Sequence, residues 1–248
     1  MSVPWRYALV VGASSGIGAA VARQLGQAGC RVALVARRHE ALAELAAEIG
    51  PEHAFVFVHD VTKGEDAGPL LPEICRTLGG LDLFVYAAGI MPPVAASEWS
   101  FAKDREIVAV NLLGAMAWID AVAERFERGR AGTIVGISSV AADRGRRGNP
   151  AYHASKAGLD AFLESVRNRL AHLGVRVVTV KPGPVDTPMT RGLPRARLPF
   201  LISAEAAAQA TLAAAARSTT VAYVPARWRP IMFVMRNIPS IVFRRLDL

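Results

Sequence analysis

The chain has 248 residues, enough for one large α/β domain or two smaller ones, since domains commonly run about 100–200 residues and α/β folds reach about 250. At 52% hydrophobic and 20% charged, with a mean hydropathy of +0.28, it can bury a sizeable core, which excludes disorder and collagen-like repetition. The net charge is +8, but the 25 arginines and 4 lysines are scattered and form no stripe with interleaved aromatics, so no nucleic-acid partner is expected.

In chain order, the first apolar, β-branched run is Tyr7–Val11. It is too short for a signal-peptide core and opens onto Gly12-Ala13-Ser14-Ser15-Gly16-Ile17-Gly18, not a cleavage site. A helical stretch, Ala19–Gln27, follows. Small residues between a strand and a helix let the backbone approach a pyrophosphate, and the helix start supplies free N–H groups. The spacing is GxxxGxG, so a tight strand-to-helix turn and a dinucleotide cradle are both open, with the cradle favoured by the strand before and the helix after.

The second strand, Arg31–Ala36, ends in Arg37-Arg38. An NAD site places a carboxylate near there for the ribose hydroxyl. Two guanidiniums suit the 2′-phosphate of NADP(H) instead. Ala41–Ile49 reads as an amphipathic helix, with Leu42, Leu45 and Ile49 on one face. The third strand, Ala54–Val58, precedes Asp60, either a helix cap or an acceptor for an adenine amino group. The fourth is Leu81–Tyr86. The stretch 98–128 reads as helical, with Asn111 standing polar among Val108, Val110, Leu112 and Leu113, so the amide is either a satisfied core group or part of a polar network.

The fifth strand, Thr133–Ile137, leads to Ser138 and Ser139 at the carboxyl edge of the sheet, where either hydroxyl could hold a substrate oxygen. Helical periodicity over Pro150–Leu173 puts Tyr152 and Lys156 at i and i+4 on one face. Four tyrosines and four lysines in 248 positions give only about 0.06 such pairs by chance. An ammonium beside a phenol favours the phenolate, which suits a general acid/base. The sixth strand is Val175–Val180 and the seventh Val221–Val224. Between them, 186–203 is an irregular excursion of the kind that forms lids.

Alternating strands and helices predict a single-domain, doubly wound α/β fold on a parallel sheet, a catalytic unit over 1–224, and a tail over 225–248. In the tail, Val234, Met235, Ile238, Ile241 and Val242 recur near helical spacing with flanking arginines, and Pro239 interrupts them. It is either a segment lying in an anionic membrane surface or a flap over the pocket or an oligomer interface. No run of 18 apolar residues occurs, so no membrane-spanning helix is expected. Cys30 and Cys75 are too few for a disulfide framework or a zinc site, which leaves buried thiols, no metal and a cytoplasmic address as expectations.

Taken together, Gly12-x-x-x-Gly16-x-Gly18, Asp60, Asn111, Ser139, Tyr152-x-x-x-Lys156 and Pro182-Gly183-x-Val185-x-Thr187 resemble the short-chain dehydrogenase/reductase family over about residues 5–224. The resemblance implies a seven-stranded Rossmann sheet in the order 3-2-1-4-5-6-7. It further implies that Ser139 orients the substrate oxygen, Tyr152 exchanges a proton, Lys156 binds the nicotinamide ribose and lowers the tyrosine, and Asn111 holds a relay water. Ser14, Ser15, Ile17, Val61, Ala88, Gly89, Pro182 and Gly183 would line the cofactor, with Val185 and Thr187 at the carboxamide. Two departures stand out: Tyr86-Ala87-Ala88-Gly89 replaces the usual Asn-Asn-Ala-Gly, which suggests a less rigid turn, and Val11 replaces a common Thr.

The implied activity is NADP(H)-dependent interconversion of a carbonyl and an alcohol; the alternative is a dinucleotide-binding sensor or partner subunit without turnover. Pocket walls are expected from 90–97, 140–151 and 184–203, where Met91, Pro92, Val94, Met189, Leu193, Leu198, Phe200 and Leu201 point to an apolar small-molecule substrate. Arg144, Arg146 and Arg147 read as a solvated loop or as a greeting for an anionic group. A homodimer or homotetramer packed through 98–128 and 152–173 is expected from the resemblance.

Overall fold

The computed structural model describes residues 3–95, 97–194, 198–217 and 219–246. Positions 195–197 of the expected excursion, 247–248 of the expected tail, 96 of the expected pocket wall, and 1–2 and 218 of the expected 1–224 unit lie outside the described residues. Seven parallel strands form the main sheet: β1 (Tyr7–Val11), β2 (Arg31–Ala36), β3 (Ala54–Val58), β4 (Leu83–Tyr86), β5 (Thr133–Ile137), β6 (Arg176–Pro182) and β9 (Val221–Val224). Their order, β3-β2-β1-β4-β5-β6-β9, is the expected one. A two-residue pair, β7 (Val185–Asp186) with β8 (Ile202–Ser203), closes the base of the long excursion and was not foreseen from the sequence.

The sheet is buried on both faces, which is why its strands read as continuous apolar runs. Ala8, Val10, Leu34, Val85 and Val180 join α1 (Gly16–Gln27), α2 (His39–Ile49) and α7 (Ala204–Ala216) in one core. Their neighbours Leu9, Val11, Val35, Phe84 and Ile134 face α3 (Ala67–Leu78), α5 (Gly114–Gly129) and α6 (Pro150–Leu170) on the other side. The period of two along each strand sets this division. Cys30 and Cys75 are buried free thiols, and Cys30 donates to the Trp5 carbonyl oxygen at 2.9 Å.

The stretch 98–128 is not one regular helix. It consists of α4 (Phe101–Val108), a π-helical turn over Ala109–Leu113, and α5. By length and composition Phe101–Gly129 could cross a bilayer, but its Ile119, Val122 and Phe126 are spent in the core against the sheet. The tail forms α8 (Trp228–Asn237) and α9 (Ser240–Phe243), separated at Pro239.

Candidate active site

Strand register aligns the functional segments. Val11 pairs with Val35 and Tyr86, Tyr86 with Gly136, and Ile137 with Val180, so the segments that follow β1, β2, β4, β5 and β6 emerge along one carboxyl edge. This is where an open α/β sheet receives ligands.

At the first of these turns Gly12 has φ +91°, and a Cβ there would run into the backbone of Ala87 and Ala88. A Cβ on Gly18 would strike the Gly12 carbonyl oxygen. Glycine is therefore required for the β1 turn to nest against the β4 turn, and the same absence of side chains leaves backbone open for a pyrophosphate at the start of α1. Ser15 takes the N-cap position of α1, without a side-chain capping bond. Ile17 packs partly into the adjoining core. Gly16, at φ +57°, faces Thr187, whose Cγ2 would stand 3.1 Å from a Cβ at that position.

The two arginines after β2 behave differently. Arg38 turns back to the glycine-rich turn, donating to Ser14 Oγ at 2.9 Å and Ser15 Oγ at 2.8 Å. Arg37 is exposed and stands 3.7 Å from Asp60. Asp60 accepts from the Thr62 backbone N–H at 3.0 Å and its hydroxyl at 2.9 Å, which closes a short turn; it caps no helix, since the helical turn that follows starts at Gly64 after Lys63 and α3 starts after Asp66. The next residue, Val61, is buried where the chain passes Gly114.

Across the edge, Asn111 sits fully buried in the π-helical turn, a deviation that often marks functional positions. Its Oδ1 accepts from the Ile90 N–H at 2.8 Å, while Nδ2 donates to the Ile90 carbonyl oxygen at 3.0 Å and to Ser155 Oγ at 3.2 Å. Ser155 in turn donates to the Tyr152 carbonyl oxygen at 2.8 Å. Both readings of Asn111 thus hold at once: it is a satisfied core group and a link to the tyrosine's turn of α6. A Cβ on Gly89 would lie 3.4 Å from Asn111 Oδ1 and 3.5 Å from Lys156 Nζ, so the β4 turn brings these groups together, with Ala88 beside Gly12. The Tyr86 hydroxyl donates to the Val110 carbonyl oxygen at 2.6 Å. This ties the end of β4 to the Asn111 turn.

Helix α6 begins where Asn149, at φ +49°, accepts from the Tyr152 N–H at 3.2 Å and Pro150 opens the first turn. That cap fixes Tyr152 beside Ser139. Burial pushes the Tyr152 phenol above its ordinary range, against the hydrogen bond with Ser139 and the charge of Arg146, which pull it down. This departs from the expectation of a phenol lowered by Lys156. The ammonium instead donates to the Ile137 carbonyl oxygen at 2.9 Å, and the opposing cation is Arg146. Burial also pushes Lys156 down to about 8, with Asp160 acting in the other direction. Ser139 Oγ accepts from the Ala141 N–H at 3.0 Å, and Ser138 is turned inward, donating to the Lys156 carbonyl oxygen at 3.4 Å. Of the two serines, Ser139 is the one beside the phenol.

Pro182 is buried at the end of β6, and Gly183 is overlain by Trp228, whose indole would collide with any Cβ there. Val185 is buried in β7. Thr187 and Met189 reach over Gly16 and Gly89, so this segment roofs the crevice between the two turns. Among the described residues, no group of three or more His, Cys, Asp or Glu could hold a metal ion.

A buried ionic cluster behind the site was not read from the sequence. Lys181 Nζ contacts Asp143 and Asp160, each at 2.6 Å, and the Tyr223 hydroxyl donates to Asp143 at 2.8 Å. Burial alone would lower Lys181, but the two carboxylates hold it above the usual lysine range. The cluster pins the loop after Ser139 to α6, one turn beyond Lys156. Asp160 at i+4 from Lys156 was a visible signal, whereas its pairing with β6 was not. Arg144 is likewise no solvated residue: it donates to the carbonyl oxygens of Met235, Arg236 and Ile238 at 2.7–3.3 Å, because the tail folds back over this loop.

A family model for short chain dehydrogenases matches residues 6–197. An uncharacterized oxidoreductase of Myxococcus xanthus (strain DK1622) is 38% identical over 190 residues, 75% of this chain and 74% of its own. Another, of Mycobacterium tuberculosis (strain ATCC 25618 / H37Rv), is 32% identical over 244 residues and covers 96% of both chains. A solved structure of a short chain dehydrogenase/reductase family protein superposes with a TM-score of 0.78 at 28% identity, covering 90% of this chain and 97% of that one.

Proposed function

The chain belongs to the short chain dehydrogenase family, oxidoreductases that use a nicotinamide dinucleotide, and from that premise we propose that it is an NADP(H)-dependent enzyme interconverting an apolar carbonyl compound and its alcohol. The observation that carries this reading is the hydrogen-bonded pairing of Tyr152 with Ser139 beside the crevice that Gly12, Gly16 and Gly18 keep open. A dinucleotide sensor without turnover would have no use for that pair.

The glycine turn fits a dinucleotide, since side chains there would fill the cradle. Gly12 to Gly18 would hold the pyrophosphate, Arg37 and Arg38 the 2′-phosphate, and Lys156 the ribose. Asp60, Val61, Ala88 and Gly89 would flank the adenine and ribose, and Pro182 through Thr187 the carboxamide end. When bound, the cofactor supplies or accepts hydride. The remaining chemistry is the chain's own. Ser139 orients the substrate oxygen, and Tyr152 gives it a proton. A phenol is protonated at neutral pH, so Tyr152 can act as the proton donor when a carbonyl is reduced, and its phenolate can take the proton back in the reverse direction. Asn111 and Ser155 brace the backbone of Tyr152 from behind. Met91, Pro92, Val94, Met189, Leu193, Leu198, Phe200 and Leu201 would form the apolar walls. Exposed Trp99, Phe101 and Leu113 would supply part of a homodimer or homotetramer contact.

The test is NADPH and NADH oxidation against a panel of apolar aldehydes and ketones. NADPH should be preferred by about tenfold or more, as expected for one charge-assisted phosphate contact. Arg37→Asp should reduce or invert that preference. Equal catalytic efficiency with both cofactors in the unmutated chain refutes the assignment of the arginine pair, and no turnover with any carbonyl refutes the enzyme.

A further inference from the structure

Helix α8 is divided between two surroundings. Trp228 and Met232 are buried with Val140 from the loop after Ser139, and Ile231 and Met235 pack against them. Phe200 meets Trp228 edge-on, with ring centroids 5.7 Å apart. Arg144 fastens the connection to α9 through three carbonyl oxygens and lies over the Phe243 ring at 4.2 Å. The tail is therefore a fixed part of the flank that holds Ser139, Gly183 and Phe200.

The opposite side is apolar and open. Phe233 is 71% exposed, Val234 60%, Ile241 58% and Val242 48%. Arg229, Arg244 and Arg245 belong to the same segment, while Arg227 lies over the Phe200 ring at 5.0 Å and Arg236 reaches the Tyr223 hydroxyl; no acidic residue occurs between Glu205 and Asp247. Between α9 and the 144–147 loop lies an open groove of about 510 Å³ whose lining includes Arg144, Arg146, Phe243 and Arg244.

From this juxtaposition we propose that the outer face of α8 and α9 docks on an anionic phospholipid surface, laying the Ser139–Gly183 flank of the protein against the bilayer. Apolar side chains that leave water on insertion, ringed by cations that meet lipid phosphates, are the two parts of an interfacial helix. The ten residues of α8 rise only about 15 Å, half a hydrocarbon core, so the segment lies in the interface plane and does not span. A second copy of this chain is the weaker occupant. A two-fold contact through this face would set the arginines beside one copy's α8 and α9 against those of the other, and neither helix carries a carboxylate of its own to pair them. The docking does not depend on the reaction the site performs.

Co-sedimentation of the full chain with phosphatidylcholine vesicles, with and without phosphatidylglycerol, tests this. Binding should be about tenfold stronger with phosphatidylglycerol and should weaken as salt rises. The triple variant Phe233→Ser, Val234→Ser, Ile241→Ser keeps every charge and changes only outward residues. It should lose vesicle binding while retaining its circular dichroism and cofactor affinity. The pair Arg229→Glu and Arg245→Glu should lower binding without removing the apolar face. Three results overturn the proposal. The unmutated chain could stay in the supernatant at low salt. The triple variant could bind undiminished, which would mean general attraction by the +8 charge. Or the chain could ignore vesicles and the triple variant dissociate an oligomer, which would assign the face to a second copy.

Discussion

At the glycine-rich turn, the hydroxyls of Ser14 and Ser15 meet the guanidinium of Arg38, and Arg37 stands exposed, 3.7 Å from Asp60. On the other side of the same sheet edge, Asn111, Ser155 and Lys156 are buried and hydrogen-bonded within the protein, and the Lys181 cluster lies just behind them. The first region presents polar groups to whatever binds. The second has already removed its polar groups from water during folding. The polar groups of the first region thus pair with one another at the surface, while those of the second are held in the packed interior, as suits a proton donor that must be in place before a reaction begins.

The sharpest test of this contrast is Tyr152→Phe. It removes the transferable proton from a ring that the fold still holds, so turnover should fall by about 10²–10⁴-fold, the usual share of a general acid, with dinucleotide affinity unchanged in a fluorescence titration. Wild-type activity in that variant would break the assignment of the catalytic end.

Next in size is Lys181→Met. Removing one partner from a buried pair leaves carboxylates without their cation and should cost about 3–5 kcal/mol in urea unfolding. Arg38→Ser at the exposed end should change stability by no more than about 0.5 kcal/mol. Equal costs at the two ends would erase the distinction.

The smallest effect is in pH. Lys156 is pushed down to about 8, so its ammonium is present below that pH and lost as pH rises through it. Dinucleotide affinity should therefore weaken severalfold between about pH 7 and pH 9, a window set by that depressed lysine value. Lys156→Ala should bind more weakly throughout and show no such step. A step of equal size in the alanine variant would move the titration to another group.

Much of this was legible in the chain before folding. The β-branched runs, the glycines between Val11 and Ala19, and the i, i+4 pair Tyr152 and Lys156 are local patterns, and local backbone preference together with the need to bury apolar faces is sufficient to place them on a doubly wound sheet. What no local pattern could carry was long-range pairing. Nothing near Asn111 in sequence announces that a π-helical turn will aim its amide at Ile90. Nor does the loop at Arg144 announce that carbonyl groups about 90 residues later will come to it, or that Asp143, Asp160 and Lys181 will meet behind the serine. The balance at Tyr152 belongs to this second class as well. A phenol beside a lysine in sequence suggests a lowered pKa, yet the loss of water around the ring and the direction in which the ammonium points are properties of the packed molecule, and they outweigh the spacing.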